Sequence, residues 1–400
     1  MRNNLARLEP PARIPGVDLA RGVAVFGMFA AHLVVTTPLQ WGDPGTWSGL
    51  VDGRSAILFA TLAGLSLGLT ADRGSTPTAL RRRRLVARAG LLWGLGVVLM
   101  LTSVPVHVIL PAYALLFLIG ATLLTATPRP LFLVAAALAT VMPFAVAAIN
   151  HVWSGSGPEQ PDKIALLIGW HYPFPLWVAF LLIGLGTGKL LATGIRTAWW
   201  VLAGGITLAV LGYGVLGPIG DRAAEREENT DAADLQLWLL SRLQDGPHSS
   251  GVGEAVGSGG FALAALAVCV LISTTGVRHI LWPVRAVGSM PLTAYTAHLG
   301  VWAVWILTED RTVVGTEAMN GFLALDPFWP MVTGVTVACS CWAVVVGKGP
   351  VEWLIQRISV AVFPSSDHPT SGEAEVQYGS QSSTSAEVTP TREPCSSGTV

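Results

Sequence analysis

Arg21 and His32 stand eleven residues apart in the stretch GVDLARGVAVFGMFAAHLVV, residues 16–35, with only apolar and small residues between them. Arginine offers a fixed charge and five donors. Histidine can take a proton from an attacking hydroxyl or amine and later return it. Eleven positions is close to three helical turns, so the two side chains share one helix face. At about 1.5 Å per residue His32 lies roughly 16 Å beyond Arg21, deep for an imidazole in a segment that reads as membrane-spanning. Ionisable groups at such depth suggest function. Asp18, three residues before Arg21, reads as its simple ion-pair partner.

Other polar residues fall in or beside apolar runs. His298 lies in MPLTAYTAHLGVWAV with Thr293, Tyr295 and Thr296 close by, while His107 and His171 sit at the outer edges of two further runs. For the latter two a hydrogen bond to a neighbouring helix is the ordinary reading; with His32, several of these histidines can also converge on one outward-opening cavity. Asp52 and Arg54 immediately precede an apolar run. They read either as a surface ion pair of little energetic weight or as a carboxylate that orients a histidine. The segment ALRRRRLVARAGLLW carries Arg81 to Arg84 and Arg88. Such a cluster anchors topology against anionic lipid, and its guanidinium forks equally suit the phosphates of a donor such as acyl-coenzyme A. No Gly-rich phosphate loop, metal-ligand spacing or nucleophile elbow is present, so no metal is expected.

The elements that must position these groups are helices in a bilayer. Hydrophobic residues make up 52% of the 400 and charged residues only 12%, against about 25% charged in soluble domains. A net charge of −1 without a basic, aromatic-interleaved stripe excludes a nucleic-acid partner. Cys269, Cys339 and Cys341 lie in apolar segments and Cys395 in a polar one, which implies no disulfide framework. Ten runs are long enough to cross a hydrocarbon core of about 30 Å: 17–37, 54–71, 86–103, 105–125, 131–150, 172–192, 198–218, 258–276, 286–307 and 329–347. The third and fourth, split by little more than Val104-Pro105, are expected to form a tight hairpin. The basic start and Ala30-Ala31 also fit a secretory signal, but the run continues past any cleavage point, which favours a retained first span.

With the N-terminus inside, all but six of the 24 Lys and Arg residues fall on the cytoplasmic side; the six are Arg54, Lys163, Arg222, Arg226, Arg242 and Arg311. That asymmetry follows the positive-inside rule. The expectation is an all-α, polytopic protein of about ten transmembrane helices in the plasma membrane, both termini cytoplasmic, with membrane lipids around it. Residues 1–16 read as a cytoplasmic segment, 17–360 as the membrane domain, and 361–400, rich in Ser, Thr, Glu, Gly and Pro, as a disordered cytoplasmic tail. The longest outer loop, 219–257, places Leu235, Trp238, Leu239 and Leu243 near helical spacing. It reads as a short amphipathic helix on the outer face or as a lid.

The segments RIPGVDLARGVAVFGMFAAHL, GLVDGRSAILFATLAGLSLGL, ILPAYALLFLIG, GSMPLTAYTAHL and GKGPVEWLIQRIS resemble, in order, the YeiB-like family of bacterial membrane proteins. That family is related to the heparan-alpha-glucosaminide N-acetyltransferase catalytic domain and, more distantly, to type-three membrane acyltransferases. The resemblance runs from about residue 13 to 360. It implies a multi-helix membrane acyltransferase in which cytoplasmic acyl-coenzyme A acylates an acceptor on the far side. Type-three acyltransferases carry an Arg or Lys, ten residues and then a His in the first span, as Arg21 and His32 do. They also carry paired arginines three apart before the third span, which Arg81 and Arg84 resemble. The glucosaminide acetyltransferases place a histidine just before a Trp-x-Gly-Leu segment; here Trp47-Ser48-Gly49-Leu50 matches, but TTPLQWGDPGT before it has none.

Two functions follow. In the first, Arg21, Arg81, Arg84 and Arg88 hold the phosphates of acyl-coenzyme A as co-substrate. His32 then serves as general base on a small-molecule or glycan acceptor at the outer face, oriented by His298 or Asp52. In the second, the same intramembrane groups relay protons in a transporter or exporter; paired repeats with helices broken at midplane would mark it. A catalytically inactive relative is the remaining alternative.

Overall fold

Pro15 opens the first helix, α1 (Pro15–Leu33), where its missing N–H is no loss. Asp18 lies in the first turn, and Val34 turns extended to end the helix. The structure, a computed structural model, describes residues 13–364 except 38, 41, 72–75, 103, 155–160, 231–233 and 309–315. A 3₁₀ turn at Pro44–Leu50 leads into α2 (Arg54–Ala71), α3 (Thr78–Met100), α4 (Leu110–Thr122), α5 (Pro128–Ser154), α6 (Pro161–Ile168), α7 (Phe174–Leu191) and α8 (Arg196–Leu211). A π-helical turn at Gly212–Leu216 joins α8 to α9 (Gly217–Glu228); α10 (Leu235–Ser241), α11 (Val252–Ile272), α12 (Val277–Ile280), α13 (Trp282–Ser289) and α14 (Pro291–Thr308) follow. The series ends with α15 (Thr316–Leu323), α16 (Phe328–Val345) and α17 (Pro350–Val362). No strand occurs among the described residues. The expected tail lies outside them from residue 365 on, as do residues 1–12 and Arg311.

Seven helical stretches are long and apolar enough to cross a membrane, and an eighth is obtained if α13 and α14, bent by 86°, count as one. Each coincides with an expected span. The other two of the ten expected positions are also helical, but α3 carries its arginines in its N-terminal half. With 13 residues, α4 rises only about 20 Å.

Several boundaries differ from expectation for local reasons. The link between α3 and α4 runs from Leu101 to Ile109 and is not a tight hairpin. His151, one residue past the expected fifth span, belongs to the last turn of α5. The seventh span continues through the π-helical turn to Glu228, into what reads as loop. The eighth starts at Val252 because the Glu254 carboxylate is satisfied by loop donors. The ninth breaks at Met290, since Pro291 lacks an N–H and disfavours helix in the residue before it.

Helices α1, α2, α7 and α11 form the interior, with 61–78% of their apolar windows buried, whereas α5, α8 and α16 lie outside them at 17–22%. Small residues allow the interior packing. A Cβ at Gly64 would collide with the Leu181 carbonyl, and one at Gly184 with the Thr61 carbonyl, so α2 and α7 meet backbone to backbone. Gly288 of α13 lies in the same way against the Asp18 carbonyl of α1. Gly288→Ala is expected to destabilise the protein by about 3 kcal/mol or more, read as a lower melting temperature in detergent; an unchanged melt would contradict this packing.

Candidate active site

The C-terminal end of α1 opens into a cavity of about 360 Å³ that His32 lines together with Asp52, His107, His171, Tyr172, His248 and Tyr295. Six elements bring these groups together: α1, the turn before α2, the link before α4, the loops at 169–173 and 242–251, and α14. His32 Nδ1 lies 3.1 Å from His298 Nε2. His298 is fully buried on α14, packed against Phe29 and Tyr295 with ring centroids 4.5 and 5.2 Å away. One proton between the two nitrogens sets the tautomer of both rings. When His32 Nδ1 donates to His298, His32 Nε2 is left with its lone pair as a base or nucleophile.

Asp52 does not meet His32 or His298. Its Oδ1 lies 3.6 Å from His248 Nε2, so the carboxylate faces a histidine, but one from a distant loop. Arg54, expected beside Asp52 on the surface, is 5% exposed. It donates from Nε to the Tyr213 hydroxyl at 2.8 Å and from a terminal nitrogen to the Gly49 carbonyl at 3.2 Å. Tyr213 sits in the π-helical turn, its hydroxyl 2.7 Å from that of Ser258.

The His248 loop is built around Glu254, in the first turn of α11. Its carboxylate accepts from the backbone N–H groups of His248 and Ser250, both at 2.7 Å, and from the Ser249 hydroxyl at 3.3 Å. Bonds from Val252 N to Arg242 O and from Glu254 N to Gln244 O close the loop. His248 and Ser250 take φ values of 59° and 56°, a left-handed conformation that persists only where surrounding structure enforces it. His107 and His171 stack at 3.8 Å, 7° from parallel, and His171 lies 4.8 Å from His248. Desolvation, and then the neighbouring imidazole of His248, lower the pKa of His107. Desolvation, with His107 and His248 beside it, lowers that of His171. Both are neutral at pH 7. Burial opposes the charged form of His248, but the Asp52 contact and the Glu254 charge outweigh it, and its pKa is raised.

A second cavity, about 460 Å³, lies at the other end of α1 and is lined by Arg13, Arg81, Arg84, Arg88, Lys348 and Glu352 among others. Arg81 holds the end of α2 by donating to the carbonyls of Thr70, at 2.9 Å, and Ala71. Arg84 Nε donates to Phe363 O at 3.0 Å, and the Arg88 guanidinium lies 5.3 Å from the Phe117 ring centroid. Arg21, grouped with these by sequence, does not line the cavity. It is held on α1 by Asp18 Oδ1 at 2.9 Å and by the Ser66 hydroxyl at 2.6 Å, because α2 packs directly on that face.

Glu352, in the wall of the second cavity, also anchors α14. It accepts from the Leu292 and Thr293 N–H groups at 2.7 and 3.0 Å, and from the Thr293 hydroxyl. Those donors form the first turn of α14, the helix that carries His298. Sequence reasoning missed Glu352 and His248. The one signal for His248 was Glu254, a carboxylate at the head of an apolar run. Among the described residues no group of three or more His, Cys, Asp or Glu is placed to hold a metal ion.

The family model described as heparan-alpha-glucosaminide N-acetyltransferase, catalytic, matches residues 13–213. The match takes in Arg21, His32, Asp52, the arginines of α3, His107 and His171, and stops before His248, His298 and Glu352. No curated protein and no solved structure matches the chain. With half its length covered by that model, and with a helical membrane architecture, the chain belongs to the family of the heparan-alpha-glucosaminide N-acetyltransferase catalytic domain.

Proposed function

We propose that this protein is a transmembrane acyltransferase that takes an acyl group from cytoplasmic acyl-coenzyme A and delivers it to an amine or hydroxyl at the outer face of the plasma membrane. The observation that carries this reading is the pair of cavities at opposite ends of α1, one lined by cationic side chains and the other by imidazoles. Arg81, Arg84 and Arg88, with Arg13 and Lys348, would hold the donor's phosphates through charge-assisted hydrogen bonds. Arg21 would then act from behind, keeping α1 and α2 in register through Asp18 and Ser66. The thioester arm would run along α1 towards His32, whose Nε2 takes the proton of the attacking group while Nδ1 is engaged by His298.

Both termini would be cytoplasmic, on the face that holds the arginines. Placement in the YeiB-like branch rests on sequence resemblance; two of the segments that carry it, GSMPLTAYTAHL and GKGPVEWLIQRIS, meet through Glu352. The break at Met290 is the feature a transporter reading would claim. Its clamping by Glu352 and the close fit of Gly349 against Met290 favour a fixed bend over a moving one. Calorimetric titration of acetyl-coenzyme A into the detergent-solubilised protein tests the proposal. Saturable one-site binding is expected, and no binding by folded protein would contradict it.

A further inference from the structure

The outer cavity contains a second proton-accepting system that His32 and His298 leave unused. His248 Nε2 faces Asp52 Oδ1 at 3.6 Å, which leaves Nδ1 of the same ring for a substrate. The side chains of His248 and Asp52 are 27% and 36% exposed, within reach of a molecule entering the cavity. His248 also belongs to the wall of an adjoining cavity of about 510 Å³, lined by Asn150, Trp170 and Tyr172. It therefore stands at the junction through which an acceptor would pass. The groups that face it are Asp52, Glu254, His107, His171, Tyr172 and His32. Glu254 is occupied by loop donors and the two stacked histidines are neutral. Asp52 is the carboxylate that faces the ring nitrogen, and the Glu254 charge behind the loop adds to it.

We infer that His248, oriented by Asp52, is the base that strips the first proton from a protonated amine acceptor before it reaches His32. The inference rests on the acyl-transfer reading and assigns a division of labour within it. Aliphatic amines titrate at about pH 8–10 and are mainly cationic at pH 7, so they carry no lone pair for attack. The ammonium gives one proton to His248 Nδ1, which releases it to the outside. The free amine nitrogen then bonds to the thioester carbonyl carbon, and the carbon–sulfur bond breaks. The second nitrogen proton passes to His32 Nε2 and from there to the coenzyme A sulfur. The products are an amide, coenzyme A thiol and one released proton. A raised His248 pKa agrees with this assignment, because a stronger base competes better for an ammonium proton.

The test compares His248→Gln with wild type on two nucleophiles, following release of coenzyme A thiol from acetyl-coenzyme A. Glucosamine is substantially protonated at pH 7; hydroxylamine is not, and needs no prior deprotonation. At pH 7 the variant is expected to lose about five- to tenfold with glucosamine, the loss being bounded by the free amine already in solution, while hydroxylamine turnover stays within about twofold of wild type. Its glucosamine rate then climbs about tenfold per pH unit towards the amine's own pKa, as solution supplies the free base. Asp52→Asn, a milder change, is expected to fall between wild type and His248→Gln on glucosamine alone. Acetyl-coenzyme A binding by each variant reports that it is folded. Equal losses on both nucleophiles, or none on either, overturn the inference while leaving acyl transfer standing. A folded wild type that turns over neither nucleophile overturns the acyl-transfer reading and this inference with it.

Discussion

His32→Gln is expected to lower acyl transfer by about 10²–10⁴-fold, the usual contribution of a positioned general base, and to leave acetyl-coenzyme A affinity nearly unchanged. The separation follows from geometry. His32 lines the imidazole-rich cavity and contacts His298 at 3.1 Å, whereas the cationic cavity lies at the far end of α1. Gln preserves a hydrogen bond to His298 and much of the side-chain volume, so the variant keeps its packing but not its proton acceptor. His298→Gln removes the partner that fixes the His32 tautomer and is expected to lower turnover by less. Turnover and calorimetric binding, measured on the same preparations, check both. Wild-type turnover in His32→Gln would remove His32 from the chemistry; loss of donor binding would place the donor at the wrong end of the protein.

Changing Arg81, Arg84 and Arg88 together to Gln is expected to weaken acetyl-coenzyme A binding by at least about 10²-fold. A hydrogen bond to a charged group contributes about 1.5–3 kcal/mol, and each 1.4 kcal/mol is a factor of ten. Because these side chains line an open cavity, the lower end of that range applies. Arg81 and Arg84 also hold the carbonyls of Thr70 and Phe363, so the variant will melt at lower temperature. The diagnostic quantity is therefore the shift in melting temperature on adding acetyl-coenzyme A, which wild type shows and the variant lacks. The corresponding Lys variant keeps the charges without the planar forks and is expected to bind with intermediate affinity. Full binding by the Gln variant would reduce the cluster to a topology anchor.

Seven of the ten expected spans, or eight with α13 and α14 counted as one, were legible because about 20 apolar residues can satisfy their backbone in lipid only as helix. Depth was legible for the same reason, since residue count along a helix gives rise; His32 was accessible to that reasoning, and so was the arginine cluster. Partners were not. Hydropathy shows that Arg21 is in a helix, but only the packing of α2 reveals that Ser66 takes one of its donors. His248 sits in the polar stretch DGPHSSG, and apart from Glu254 nothing nearby distinguishes it from any loop histidine. Its position depends on a left-handed backbone and a buried carboxylate six residues later. The bend at Met290 was signalled by Pro291, whereas the Glu352 clamp joins residues about 60 apart and leaves no periodic trace.

Transfer from one face to the other is the central claim, and proteoliposomes with a single orientation test it directly. Acetyl-coenzyme A supplied only on the face that bears Arg81, Arg84 and Arg88, with a membrane-impermeant amine only on the face that bears His32, is expected to yield acetylated amine. Reversing the two reagents is expected to yield none. Product in the reversed arrangement, or only when donor and acceptor share one compartment, would contradict transfer across the membrane.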